Sequence, residues 1–305
     1  MHVLITGGTG LIGKALTHYL IEKGHTITIL TRYIPTLNNQ ISQVQYAQWN
    51  VLAQTIDLQA IAQADHIIHL AGAGVAEKRW TTKRKKEIVD SRVQSTALLA
   101  HTLQHHPHKV QTFISASAIG WYGVDSAEKI FIETDLPAKD FLGETCRQWE
   151  EALKPITALG IRTASVRTGI VLSNDGGVLA AFKKPLNMGV ASILGNGKQV
   201  MSWIHITDLV RLFIFILEHQ SLQGPFNAVA PKPVSNKIFI TTLAKILRGK
   251  FYIPIHIPSC ALKLLLGEMS IEVLKSTTVS CKKIHQQNFI FEFPTIEAAF
   301  HNLLG

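Results

Sequence analysis

The stretch Val3-Leu4-Ile5-Thr6-Gly7-Gly8-Thr9-Gly10-Leu11-Ile12-Gly13 decides how this chain is read. A strand-like apolar run leads into glycines at 7, 10 and 13, and Lys14 to Lys23 continues with helical spacing. Each glycine of this G-x-x-G-x-x-G pattern has a physical task. A tight turn needs a residue free to take positive φ. Close approach of the backbone to a pyrophosphate forbids a side chain, and packing of a helix on a strand requires a missing Cβ. The helix start then offers free N–H groups and partial positive charge to phosphates. A bare glycine pattern says little. Placed between a first strand and a first helix, it reads as a dinucleotide cradle. The competing reading is a purely structural turn.

Outward from this motif, short apolar runs alternate with amphipathic stretches. Strands are expected at Val3 to Thr6, Thr26 to Thr31, Val44 to Ala47, His66 to Leu70, Gln111 to Ser115 and Arg162 to Arg167. Helices are expected at Lys14 to Lys23, Ile56 to Ala62, Thr82 to Leu103 and Asp140 to Leu153. This alternation predicts an α/β fold, a Rossmann-type doubly wound parallel sheet covered by helices on both faces. After Gly169 the pattern loosens. Gly189 to Gly197 reads as a loop, Asp208 to Glu218 as a helix, Pro225 to Val229 as a strand, and the rest as two helical patterns with little regular alternation. The expected division is a dinucleotide-binding domain over 1–230, with 170–205 contributing to the substrate lobe, and a smaller C-terminal α/β lobe over 231–305.

The 305 residues are 47% hydrophobic and 17% charged, enough to bury a large core. No apolar run reaches the ~18 residues needed to cross a bilayer, and no secretory signal is evident. Cys146, Cys260 and Cys281 share no metal-like or redox-like spacing, so they read as free thiols in a reducing compartment, with the cytoplasm as the default. No metal site is expected. The net charge of +9 leaves phosphorylated ligands, acidic partners or nucleic acid open. No nucleic-acid motif or aromatic platform accompanies it, so nucleic acid is the weaker option. Lys83-Arg84-Lys85-Lys86 reads as a solvated helix face or as a positive rim near an anionic ligand.

The end of the second strand chooses between cofactors. An acidic residue there would hold the ribose 2′-hydroxyl of NAD. This chain has Leu30-Thr31-Arg32 instead, and a guanidinium fork suits a 2′-phosphate. NADP(H) is therefore expected, with an ordinary surface arginine as the alternative. Two further strand ends carry His69-Leu70-Ala71-Gly72 and Ser115-Ala116-Ser117-Ala118. Small residues there let a cofactor lie across the sheet edge, and the hydroxyl of Ser117 would face the nicotinamide or simply cap the strand.

These residues resemble the extended short-chain dehydrogenase/reductase superfamily. Within it the chain is similar to the NAD-dependent epimerase/dehydratase family, in the branch ending in a short domain of unknown function. The likeness continues through Arg79-Trp80, Ser91-Arg92, Tyr122-Gly123, Trp149-Glu150, Arg167-Thr168-Gly169, Ser202-Trp203-Ile204-His205, Gly224-Pro225-Phe226-Asn227 and Phe293-Pro294. It implies NADP(H) binding at Gly7, Gly10, Leu11, Ile12, Gly13, Thr31 and Arg32, around His69, Leu70 and Ala71, and at Glu87, Arg92 and Arg167. It also implies a small polar substrate, with a nucleotide sugar as the candidate, and leaves a homodimer through first-domain helices open.

The chain departs from that pattern at its chemistry. The family's Tyr-x-x-x-Lys dyad exchanges a proton while hydride moves. Of five tyrosines, only Tyr19 has a lysine four residues on, Lys23, and that pair follows the glycine turn on the first helix. Counting back from Glu150, the dyad positions hold Leu142 and Cys146. The remaining candidates are Ser117 and, as a substitute acid, Tyr122. Trp80, Trp203 and His205 are expected either on the substrate side or in the core. The alternative to an enzyme is a catalytically silent NADP(H)-binding scaffold or redox sensor.

Overall fold

A computed structural model describes residues 1–36, 38, 40–125 and 129–305. Its centre is an eight-stranded sheet. In chain order the strands are β1 (His2–Thr6), β2 (Thr26–Thr31), β3 (Val44–Asn50), β4 (Thr55–Ile56), β5 (His66–His69), β6 (Thr112–Ala118) and β7 (Arg162–Thr168), followed by Gly224–Ala228. Across the sheet they run Gly224–Ala228, β7, β6, β5, β1, β2, β3, β4. All pairs are parallel except the antiparallel edge pair β3 and β4. β1 lies mid-sheet, with β2 on one side and β5 on the other, so its carboxyl end is the topological switch point where open α/β sheets bind ligands.

Both faces are covered because every central strand is apolar on both. Val3, Ile5, Ile27, Ile29, Ile68 and Ile114 pack with Leu16 and Leu20 of the helix Leu11–Glu22 and with the helix Ile206–Glu218. Leu4, Leu30, Ile67 and Phe113 face the other way, onto Leu98, Leu99 and Leu103 of the helix Thr82–His105. Burial of a side chain of this size contributes ~1.5–3 kcal/mol, so the doubled core holds the strand ends in fixed register.

The second lobe differs from the sequence expectation. Val190–Leu194, expected as a loop, is a strand paired in parallel with Ile253–Ile257. It is five residues long and lies just beyond Gly189, so the glycine signal hid the alternate burial of Ala191 and Ile193. Short pairs also join Trp203–His205 to Ile170–Ser173 and Val200–Met201 to Val234–Ser235. Several contacts tie this lobe to the sheet's carboxyl edge. Arg79 donates to the carbonyl of Leu264, Lys85 pairs with Glu268, and Lys275 stands 3.8 Å from Asp140. Among the described residues no helix is long and apolar enough to cross a membrane.

Candidate cofactor cradle and active site

Strand β1 ends at Thr6, and the chain turns at Gly7 with φ of +70°. A Cβ on Gly7 would lie 2.8 Å from the carbonyl carbon of Leu70, and one on Gly13 would lie 2.3 Å from the carbonyl oxygen of Gly7. Backbone therefore fills the space that side chains would need. The Gly10 amide donates to the Gly7 carbonyl at 3.0 Å, closing the turn. Gly10 then caps the helix Leu11–Glu22 without any side-chain hydrogen bond, and no acidic residue occupies the first turn. The N–H groups of Leu11, Ile12 and Gly13 head the helix uncapped, the arrangement that accepts a phosphate.

Beside this turn runs β2. Thr6 is in register with Leu30, which places Thr31 and Arg32 level with the glycines. Two hydrogen bonds hold that corner. Gln48 donates to the carbonyl of Arg32 at 3.1 Å, and Thr31 Oγ1 donates to the carbonyl of Tyr33 at 3.1 Å. The Arg32 side chain is exposed, and no ion pair or hydrogen bond engages its guanidinium among the described residues.

On the other side, the Leu70 amide donates to the Thr6 carbonyl and the Ala71 amide to Thr6 Oγ1. His69 points away from the edge. Its ring is fully buried, takes Thr6 Oγ1 at 2.6 Å and Ser95 Oγ at 3.1 Å, and packs on Trp49 and Phe113. Burial pushes its pKa down to about 3, so it stays neutral. The expected cofactor contact at His69 is thereby restricted to its main chain. The loop after β5 is pinned by one face of the long helix. Arg84 donates to Gly74 O at 2.5 Å and pairs with Glu77 and Glu87, Ser91 accepts from the Ala73 amide, and Arg92 donates to Ala73 O at 3.0 Å. Glu87 is solvent-exposed and held to Arg84 at 2.8 Å, which keeps its carboxyl below the usual range. Arg92 is buried against the ring of Trp149 with no carboxylate partner among the described residues, and burial lowers its pKa. The spacing of 84, 91 and 92 on one helical face is the signal that could have revealed this clamp.

Strand β6 leads into a closed polar network. Ser117 donates to Glu150 Oε1 at 2.7 Å. Arg167 grips the same carboxylate through Nε at 2.8 Å and Nη2 at 2.9 Å. Its Nη1 reaches Tyr122 Oη and the Glu133 carbonyl, both at 3.0 Å. Tyr122 in turn donates to Asn227 Oδ1 at 2.6 Å, and the Asn227 amide donates to Glu133.

Two of the expected site residues lie deep in this network. Arg167 is only 2% exposed, lies on the Trp121 ring and has each guanidinium nitrogen hydrogen-bonded within the protein. Tyr122 is buried at 3% exposure, and desolvation pushes its pKa up to about 12. The phenol so placed bridges Arg167 and Asn227. Glu150, Glu133 and Asn227 were missed because no local spacing links residues so far apart in the chain.

The dyad positions contain no replacement. Leu142 packs beside Gly120, and the buried Cys146 thiol, pushed up to about 12 by desolvation, points at the Ala118 carbonyl at 3.6 Å. Trp80 packs edge-on to Phe141, 4.9 Å between ring centres. Trp203 is fully buried in that lobe's core. His205 caps a helix by accepting from the Thr207 amide, and burial lowers its pKa to about 4. No group of three or more His, Cys, Asp or Glu is gathered for a metal among the described residues.

The comparisons agree with this frame. Residues 3–229 match the model of the NAD-dependent epimerase/dehydratase family, and residues 257–303 match a domain of unknown function. An epimerase family protein of Staphylococcus saprophyticus is 38% identical, with 99% of each chain covered. One of Mycobacterium leprae is 34% identical over 89% of this chain and 85% of its own. A human epimerase family protein crystallised with NADPH superposes with a TM-score of 0.87 at 27% identity, covering 99% of both chains. A nucleoside-diphosphate sugar epimerase from Corynebacterium glutamicum gives 0.79 at 31% identity, covering all of this chain and 58% of that one. With a glycine turn at the switch point of a mostly parallel sheet, and a family match spanning most of its length, the chain belongs to the NAD-dependent epimerase/dehydratase family.

Proposed function

We propose that this protein binds NADP(H) and acts as an epimerase-like oxidoreductase or isomerase on a small polar substrate of the nucleotide-sugar class. The observation that carries the reading is the glycine turn closed to any side chain, heading an uncapped helix beside the unpaired Arg32. The residues fit the cofactor. The amides of Leu11, Ile12 and Gly13 would hold the pyrophosphate, and Arg32 with Thr31 would take the 2′-phosphate. The main chain at Leu70 and Ala71, with Arg92 beneath it, would border the rest. When bound, the dinucleotide supplies hydride. Ser117, buried and held by Glu150, would supply the hydroxyl at the strand end, and the second lobe, tied on through Arg79 and Lys85, would shield the reacting groups. Three free cysteines accord with the reducing cytoplasm as the site of action.

A second reading, a silent NADP(H)-binding scaffold or sensor, is favoured by one observation. Leu142 and the buried thiol of Cys146 stand where a proton-exchanging dyad is expected. Turnover separates the two. Protein loaded with NADP⁺ and offered a panel of UDP- and dTDP-sugars should develop NADPH absorbance or interconvert epimers with one of them. Tight binding without change across that panel supports the sensor.

A further inference from the structure

The amino-terminal edge of the sheet carries a second concentration of chemistry, at the far end of the long helix from the clamp. His101, His105, His106 and His108 fall within eight residues. His101 and His105 are one turn apart on one face of the helix Thr82–His105, and both are exposed. Their ring centres lie 4.2 Å apart, tilted by 37°. Nδ1 of His105 is 2.9 Å from the carbonyl oxygen of His101 and donates to it. That bond fixes the tautomer of the neutral ring, leaving the lone pair on Nε2 directed outward. His101 has neither ring nitrogen engaged among the described residues. The other two members are placed differently. His106 leaves the helix as its C-cap, and Nδ1 of His108 is used by the Val110 amide at 3.2 Å.

We propose that His101 and His105 form a surface site for a divalent first-row transition-metal ion, with Cu²⁺ held most tightly and water completing the coordination. Two imidazoles sharing an ion at metal–nitrogen distances of about 2.0–2.1 Å, at a cis angle, set their ring centres about 4.5–5 Å apart. The observed ring centres, 4.2 Å apart, lie just below that range, so the exposed rings would part and turn toward the shared ion. Histidines four apart on one helical face are the spacing that metal-binding helices use. The hydrogen bond from His105 to the carbonyl supplies the outer-shell orientation such ligands require. Nitrogen ligands select the transition series, with Cu²⁺ above Ni²⁺ and Zn²⁺, and give nothing to Mg²⁺. An ion bridging the pair also staples the last helical turn, so it stabilises the folded chain by mass action.

The test is calorimetric titration of the full-length protein with Cu²⁺, Ni²⁺ and Mg²⁺ in a non-coordinating buffer. It compares the parent chain with His101→Asn, His105→Asn and the control His108→Asn, and follows thermal unfolding with Ni²⁺ in parallel. We expect a saturable Cu²⁺ site, weaker Ni²⁺ binding and no Mg²⁺ heat. His101→Asn and His105→Asn should each weaken the tightest site at least tenfold and abolish the rise in Tm, while His108→Asn changes neither. Absence of Cu²⁺ binding to the parent chain overturns the proposal. So does binding within twofold of the parent in both variants, which would mean that the protein's 14 histidines take the ion diffusely.

Discussion

Replacing Gly13 by alanine should separate the cradle from the fold around it. The new Cβ would stand 2.3 Å from the Gly7 carbonyl oxygen, 2.6 Å from Gly8 Cα and 2.8 Å from the Gly8 carbonyl carbon. All three are main-chain atoms, so no side chain can swing aside. Reaching ordinary contact requires the turn and helix to part by about 1 Å. Overpacking of this kind costs about 1–3 kcal/mol, offset by about 0.5–1 kcal/mol from the helix preference of alanine over glycine. The net loss of stability is therefore small. The loss of binding is not, because on the proposed reading the displaced amides would hold the phosphates. Losing one charge-assisted hydrogen bond, about 1.5–3 kcal/mol, weakens NADPH roughly ten- to a hundredfold. Gly24→Ala is the matched control. Gly24 has φ of +75° and no neighbouring atom within 4 Å, so alanine there strains only the backbone, by about 1–2 kcal/mol. Urea unfolding and calorimetric NADPH titration on both variants make the comparison. If Gly13→Ala binds NADPH as the parent does, or if Gly24→Ala loses binding equally, the glycine turn is not the cradle.

Arg32→Ala should weaken NADPH by roughly ten- to a hundredfold, the worth of one charge-assisted contact, and leave NADH affinity unchanged in the same titration. Tyr122→Phe removes the bridge between Arg167 and Asn227. Denaturant titration should show a loss of about 1–3 kcal/mol, with dinucleotide affinity intact. Loss of binding at equal stability would return Tyr122 to the active site. Glu150→Gln breaks the buried pair with Arg167 and should cost about 3–5 kcal/mol in the same assay. His69 gives a pH signature. Its folded pKa of about 3 lies below the unfolded value of 6.5, so the unfolded chain binds the extra proton. The stabilisation is complete above pH 6.5 and falls by about 1.4 kcal/mol per pH unit below about pH 6. His69→Asn should flatten the slope of unfolding free energy between pH 6 and 4 by about one proton, and an unchanged slope would contradict its burial as a neutral ring.

What the sequence disclosed follows from the range of the forces involved. The glycine turn, the β-branched run Thr26 to Thr31 and the long helix are local patterns, and each was legible at its correct place. Arg32 could be singled out as a candidate because the chemistry of a strand end depends on one side chain. Val190–Leu194 could not, since a five-residue strand gains its identity from Ile253–Ile257 across the lobe. The inward turn of Tyr122 and Arg167 was not legible for a related reason. Position after a strand end does not say which way a side chain turns, and Tyr122 turns inward to Asn227, 105 residues away. Arg167, at the end of β7, is drawn to Glu150 on a helix that the sequence alone does not orient. His69 lies at a ligand-binding edge yet buries its ring, because Thr6 and Ser95 satisfy both nitrogens.

Parallel calorimetric titration of the purified protein with NADPH and with NADH, after checking for dinucleotide that copurifies, tests the central claim most directly. Tight saturable binding of NADPH with much weaker binding of NADH is the result that the glycine turn and Arg32 predict together. Equal affinity for the two would contradict the role of Arg32, and no binding of either would leave the sheet as a scaffold without its cofactor.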